Sequence, residues 1–197
     1  MWNRVIDLFV SIVLLPILIP IMAIEAIAIL IESGSPCMFN QERVGKDGAP
    51  FVMYKFRTML SLEKCKKNIG TPIPDSERIT FLGNFLRKSS IDELPQIFNI
   101  LKGEMSLVGP RPTLQYQVDR YDDFQRRRLE VKPGITGLAQ INGRNNLAWE
   151  EKIKLDVKYV DSKSLLLDLK ILILTVVTLI KREGVEFTKN DDISRLD

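Results

Sequence analysis

Two adjacent carboxylates, Asp92 and Glu93, stand in the stretch Ser89-Ser90-Ile91-Asp92-Glu93-Leu94-Pro95-Gln96, with Arg87 and Lys88 just before it and Lys102 shortly after. Ile97, Phe98 and Leu101 follow Leu94 at helical spacing, which marks the apolar face of a short amphipathic helix. One reading of the pair is structural: Ser90 with Glu93 three residues on fits a capping box, and acids in a first turn complement the helix dipole. Pro95 argues against Ser90 as the cap, because it would then fall at the fifth helical position, where its ring clashes and a hydrogen bond is lost. With Asp92 as the cap, Pro95 lies in the first turn. The carboxylates then stand at a helix mouth beside N–H groups that favour phosphate. Placed there, an Asp and a Glu side by side could hold a metal ion, or one could attack phosphorus.

The composition narrows the chemistry. The chain has 197 residues, a formal charge of +3 and no histidine. That excludes Ser-His and Cys-His nucleophile pairs and His-ligated zinc or iron, and leaves carboxylates, Lys, Arg, Cys, Ser and Tyr. The charge is too small to argue for nucleic acid, and basic and aromatic residues do not interleave as a nucleic-acid surface would require. Cys37 and Cys65 form no spaced motif and read as reduced thiols.

Around this chemistry the chain supplies positioning elements. Residues 8–24 carry no charge. As a helix these 17 residues span about 25 Å, short of the roughly 30 Å hydrocarbon core. Glu25 and bulky neighbours stand where a signal-peptide cleavage site would need small residues. That leaves a membrane segment, spanning or re-entrant, and Pro16 and Pro20 favour the second: a helix-break-helix that enters one leaflet and returns, with Glu25 coming back toward the headgroups. Residues 37–59 read as a β-hairpin, turned at Gly45-Lys46-Asp47-Gly48, whose return strand sets Lys55 and Arg57 on a basic face. Residues 61–78 read as a polar loop, followed by a short helix through Leu82, Phe85 and Leu86. In Gly109-Pro110-Arg111-Pro112, two prolines fix the backbone on either side of Arg111, and a guanidinium so placed suits bidentate phosphate binding. Residues 113–130 read as one polar helix closed by Arg126, Arg127 and Arg128, a solvated or headgroup-facing cluster. The segment from Val131 to Asn145 is rich in glycine and reads as an irregular loop whose backbone can approach a ligand, with Arg144 as its polar contact. Residues 149–161 return to helix. Residues 165–180 form an amphipathic helix for a membrane surface or the core.

Taken together, RVID with its proline-broken apolar segment, FNQERVGKDGAPFVMYKFRTM, SSIDELPQIFNILKGEMSLVGPRP, KPGITGLAQINGR and LLLDLKIL resemble the bacterial sugar transferases. The likeness is to the small monotopic polyprenyl-phosphate phosphoglycosyl transferases, in their minimal form without a four-helix membrane module. It implies a mostly helical α/β (α+β) fold: an N-terminal re-entrant helix over residues 1–32, and a compact catalytic domain over 33–197 with a small hairpin and interfacial amphipathic helices. It also implies a reaction, the transfer of sugar 1-phosphate from a UDP-sugar to undecaprenyl phosphate with release of UMP. Asp92 would be the nucleophile of a covalent phosphosugar intermediate, and Glu93 the Mg²⁺ ligand. Arg111 would lie near phosphate, framed by Pro110 and Pro112, with Lys55, Arg87 and Arg144 as further phosphate or nucleotide contacts. The expected location is the cytoplasmic face of the bacterial inner membrane, among membrane lipids and downstream glycosyltransferases. The sequence departs from the pattern in one place: Ile19 precedes Pro20 where the family carries Ser, so no hydroxyl is there to satisfy freed backbone groups. The competing reading is a non-catalytic membrane-anchored scaffold of a glycan-assembly complex. The sugar and the pathway are not legible in these residues.

Overall fold

The computed structural model describes residues 2–60, 75–143 and 147–181. The fold is mixed and mostly helical, and it opens with helix α1, Trp2–Ser33. One stripe of α1 runs inward at three- and four-residue spacing along its whole length. Asp7, Ser11, Met22, Glu25 and Ile29 are buried, and Leu15 and Leu18 pack against the core between them. The opposite face, including Phe9, Val13, Ile17, Ile24 and Ile31, is exposed.

Two half-helices meeting at Pro20 are expected from the sequence, but α1 is one helical element with Pro16 and Pro20 inside it. An interior proline costs about 3 kcal/mol. Each fully buried Met or Ile returns about 1.5–3 kcal/mol, and the stripe keeps its period through both prolines. Both ends of α1 are tied to one body. Near the N-terminus, Arg4 donates to the carbonyls of Ile100 and Leu101 (2.8 Å to the latter), capping helix α4, Ile97–Lys102. Asp7 accepts from Ser106 Oγ at 2.8 Å and from the Leu107 amide at 3.0 Å. At the other end, Arg57 donates to Ser33 Oγ (2.7 Å) and to the Gly34 carbonyl, and Glu32 accepts from the Leu82 amide at 2.9 Å. Glu25 therefore faces the protein, not the headgroups.

The hairpin forms as expected. Strand β1, Met38–Val44, pairs antiparallel with β2, Pro50–Phe56, with Gln41 opposite Met53. Asp47 (φ 56°) and Gly48 (φ 80°) make the turn. Phe51, Met53 and Phe56 enter the core with Met22, Ile29, Leu86, Ile97, Ile100 and Met105. Asn99 fixes the strand from α4: its Oδ1 accepts from the Tyr54 amide at 3.1 Å, and its Nδ2 donates to the Val52 carbonyl at 2.7 Å. After α2, Asp75–Arg78, helix α3, Phe81–Ser89, starts at Thr80, whose side chain accepts from the Gly83 amide. A Cβ on Gly83 would lie 2.1 Å from the Thr58 carbonyl oxygen, so α3 meets the end of β2 by backbone contact.

Two expected segments differ. The single helix over 113–130 is broken into α5, Gln115–Val118, α6, Asp123–Arg126, and a 3₁₀ turn, Arg127–Glu130. Asp122 causes one restart by capping α6, with its Oδ1 accepting from the Gln125 amide at 2.8 Å. The supposed irregular loop contains strand β4, Gly134–Thr136, parallel to β3, Ser106–Val108, and then helix α7, Leu138–Ile141. Its glycines serve the fold. A Cβ on Gly134 would lie 2.1 Å from the Gly109 amide nitrogen, and one on Gly137 2.2 Å from the Gly109 carbonyl oxygen. Of the polar loop expected over 61–78, the last four residues form α2 instead, and residues 61–74, with Cys65, lie outside the described residues, as does Arg144.

Helices α8, Trp149–Ser162, and α9, Leu165–Lys181, stand where the apolar spacing predicts them. Asp168, a charge within the apolar run of α9, points inward. It accepts from Tyr159 Oη at 2.7 Å and from Asn3 Nδ2 at 2.6 Å, joining α8, α9 and α1. Leu166, Leu169, Ile173 and Val176 on its outer face are exposed.

The glycine contacts predict a ranking. Gly134→Ala is expected to cost about 3 kcal/mol or more, from overpacking against backbone, whereas Gly48→Ala, in open space but at positive φ, costs about 1 kcal/mol. Thermal unfolding in detergent measures both, and equal losses would remove the close-approach argument.

Candidate active site

The acidic pair is placed by a sharp change of backbone. Helix α3 ends at Ser90, which adopts φ 58°, ψ 18° and whose amide bonds back to the Arg87 carbonyl at 3.2 Å. The chain continues as a 3₁₀ helix, Ile91–Gln96, that accommodates Pro95. Neither expected cap forms: Ser90 makes no side-chain cap bond, and Asp92 and Glu93 both lie in the first 3₁₀ turn. Ile91 and Leu94 turn toward the core, and Pro95 is buried.

Glu93 is the meeting point. Its Oε1 accepts from Lys55 Nζ at 2.7 Å and from Arg111 Nη2 at 2.6 Å, with Arg111 Nη1 3.4 Å from Oε2. One cation comes from β2, the other from the proline-framed loop after β3. Burial alone would raise the Glu93 pKa, but Arg111 and Lys55 outweigh it and hold the carboxyl well below the usual range. Lys55 is lowered by its own burial, partly offset by Glu93. Asp92, 8% exposed, goes the other way. Burial and the neighbouring Glu93 charge push it up to about 6, against the pull of Lys55, Arg111 and Arg87. Two adjacent carboxyls thus differ in kind, one firmly ionised and one poised.

The structure brings Asp92, Glu93, Lys55 and Arg111 together, with Arg87 in electrostatic reach and held by a bond from its Nε to Thr58 Oγ1 at 2.6 Å. Pro110 and Pro112 bracket Arg111 as expected. Arg57 does not join, since it caps α1. Arg128 is no solvated cluster member: it is 4% exposed and paired with Asp156 at 2.6 Å.

Two groups at the site are not singled out by sequence reasoning. Arg43 donates to the Pro112 carbonyl at 3.3 Å and to Gln41 Oε1 at 2.6 Å, its Nε is buried without a partner, and burial and Arg111 push its pKa down to about 10. Glu25 reaches the site from α1. It is 8% exposed, within electrostatic reach of Asp92, and its Oε2 is buried without a partner. Arg43 alternates along β1 as an ordinary strand charge does, and only the loop packing beneath it reveals its place.

A hard cation fits this site by donor type: Mg²⁺ binds through one or two carboxylates completed by substrate phosphates. Asp92 and Glu93 are donors of this type. No cluster of three or more His, Cys, Asp or Glu with ligand geometry occurs among the described residues, so phosphate oxygens would have to complete the shell.

The chain matches the bacterial sugar transferase family over residues 1–182. It is 49% identical over 188 residues to the uncharacterized sugar transferase EpsL of Bacillus subtilis, covering 95% of this chain and 92% of that one. It is 40% identical over 196 residues to the undecaprenyl-phosphate galactose phosphotransferase of Salmonella typhimurium, covering 92% of this chain and 41% of that protein. It is 42% identical over 183 residues to the UDP-glucose:undecaprenyl-phosphate glucose-1-phosphate transferase of Klebsiella pneumoniae, covering 89% of this chain and 39% of that protein. The chain therefore belongs to the bacterial sugar transferase family, and spans about two-fifths of the length of the latter two relatives.

Asp92 yields a pH prediction. Its folded pKa of about 6 lies above the roughly 3.9 of an unfolded Asp, so folding favours the neutral form. The stability it contributes is full below about pH 4 and lost as pH rises through about 6. Asp92→Asn is therefore expected to stabilise the protein by about 2–3 kcal/mol above pH 7 in EDTA, a gain that vanishes toward pH 4. A stability gain that does not vary with pH would contradict the shift.

Proposed function

We propose that this protein transfers sugar 1-phosphate from a UDP-sugar to undecaprenyl phosphate, releasing UMP, as the first membrane step of a glycoconjugate pathway. The observation that carries the reading is the convergence of Lys55 and Arg111 on Glu93 beside the poised Asp92. The names of the Salmonella and Klebsiella relatives supply the substrate classes.

A carboxylate oxygen of Asp92 attacks the sugar-bearing phosphorus of the donor. The new P–O bond forms as the bond to the UMP phosphate breaks, and UMP leaves with the electron pair. The covalent aspartyl-phosphosugar is then attacked at the same phosphorus by a phosphate oxygen of the lipid acceptor, which restores the Asp92 carboxylate. Splitting the transfer in this way is the usual gain of covalent catalysis. Phosphoryl transfer asks mainly for positioning and charge neutralisation, which Arg111, Lys55 and Arg87 provide without histidine. Glu93, with Asp92 beside it, would hold Mg²⁺, which would supply further charge neutralisation for the transferred phosphate. The product is a substrate for downstream glycosyltransferases.

Helix α1 supports a membrane arrangement for this reading. It is long and apolar enough to cross a bilayer by length and composition. A spanning helix delivers its ends to opposite sides, however, and here Arg4 and Ser33 are held by the same body. On this reading α1 lies in one leaflet as a monotopic segment, with its inner stripe on the core and its outer face in lipid. The outer faces of α1 and α9 then meet lipid, and the catalytic unit, residues 33–197, sits at the cytoplasmic headgroup plane.

Intact-protein mass spectrometry with Mg²⁺ and a panel of UDP-sugars, without lipid acceptor, is expected to show a phosphosugar adduct that maps to Asp92 and is absent in Asp92→Asn. If no donor gives an adduct and undecaprenyl phosphate elicits no UMP, the scaffold reading replaces this one. For topology, a Trp2→Cys reporter with Cys37 and Cys65 replaced by Ser is expected to resist periplasmic labelling, and labelling there would mean a span.

A further inference from the structure

Five consecutive residues, Gly109 to Thr113, carry Arg111, and two of them are prolines without an N–H. Held by so few amides, the loop is fixed through its carbonyls, and four in succession have donors. Pro110 O accepts from the Gly134 amide at 2.9 Å and Thr113 O from the Val44 amide at 2.9 Å. Arg111 O accepts from Arg128 Nη2 at 3.0 Å and Pro112 O from Arg43 Nη1 at 3.3 Å. The outer two anchors are backbone. The inner two are guanidinium groups.

Arg128 is built to hold this position. Its Nη2 also donates to Asp156 Oδ2 at 2.6 Å and its Nη1 to Tyr121 Oη at 2.6 Å. The guanidinium carbon lies 5.7 Å from the centre of the Tyr121 ring and 5.6 Å from that of Trp149. A buried ion pair is weak evidence for stability, because apolar residues of the same volume often do as well. What an apolar replacement could not do is donate to the Arg111 carbonyl. A planar fork can serve Asp156, Tyr121 and that carbonyl at once, and an ammonium on a flexible stem cannot hold the same geometry.

We propose that Arg128, locked by Asp156 and Tyr121, is a positioning residue that sets the place from which Arg111 reaches the Glu93 carboxylate and the donor phosphates. The catalytic part of this rests on the function proposed above; the clamp itself does not.

The test is a double-mutant cycle combined with amide hydrogen exchange on the full chain in detergent. Arg128→Lys is expected to lower kcat/KM for UMP release by about 10-fold or more with Arg111 intact, and by less than about 2-fold in an Arg111→Met background, because the residues act through one another. Its loss of Tm is expected to be the same in both backgrounds. It is also expected to speed exchange at the Gly134 and Val44 amides, which donate to the Pro110 and Thr113 carbonyls on either side of Arg111, while the α8 amides keep their protection. Tyr121→Phe, which removes one bond to Arg128 and keeps the ring, gives the same direction with smaller size and serves if Arg128→Lys does not fold. An equal fold-loss of activity in both Arg111 backgrounds, or unchanged exchange at the Gly134 and Val44 amides, overturns the proposal. If the unmutated protein releases no UMP with any donor, the proposed function has failed, and the exchange measurement alone decides the clamp.

Discussion

A buried carboxylate held by two cations organises this protein. Glu93 cannot be left ionised in a desolvated place without compensation, since an unpaired buried charge costs several kcal/mol. Lys55 and Arg111 provide it at 2.7 and 2.6 Å. They come from elements far apart in the chain, so this triad forms only when the hairpin, the 3₁₀ turn and the proline-framed loop are all in place. The same arrangement sets Asp92 apart. Next to a firmly ionised neighbour and largely out of water, its own charge is disfavoured.

The supports behind the triad are mostly backbone. Gly83 lets α3 touch the end of β2. Gly109, Gly134 and Gly137 let two loops approach more closely than any side chain permits. Asn99 fixes the strand carrying Lys55, and Arg128 and Arg43 hold the carbonyls around Arg111.

Helix α1 belongs to the same construction. Its inner stripe is part of the main core, Arg4 caps α4, and Asp7 holds the start of β3. Glu25 extends that stripe to the acidic pair. A membrane-facing helix that also builds the core couples the apolar surface to the site with no linker between them.

Much of this was legible in the residues. Alternation and Gly45-Lys46-Asp47-Gly48 mark the hairpin, period and apolar runs mark α1, α8 and α9, and the crowding of charge around Asp92-Glu93 marks the site. These features are local, and their physics acts over a few residues. What only the tertiary structure decided depends on contacts between distant segments. Lys55 faces Glu93 while Arg57, two residues on, turns away to cap α1. Arg128 looks like one of three surface arginines until Asp156, Tyr121 and Trp149 enclose it. The glycines over 134–137 look like ligand-binding freedom until the Gly109 backbone fills the space. The break expected at Pro20 is no gap in the helix, because burial of the stripe on either side outweighs the prolines. The sequence by itself determined which groups could do the chemistry. Packing decided which of them meet, because desolvation and charge pairing depend on neighbours that chain spacing does not specify.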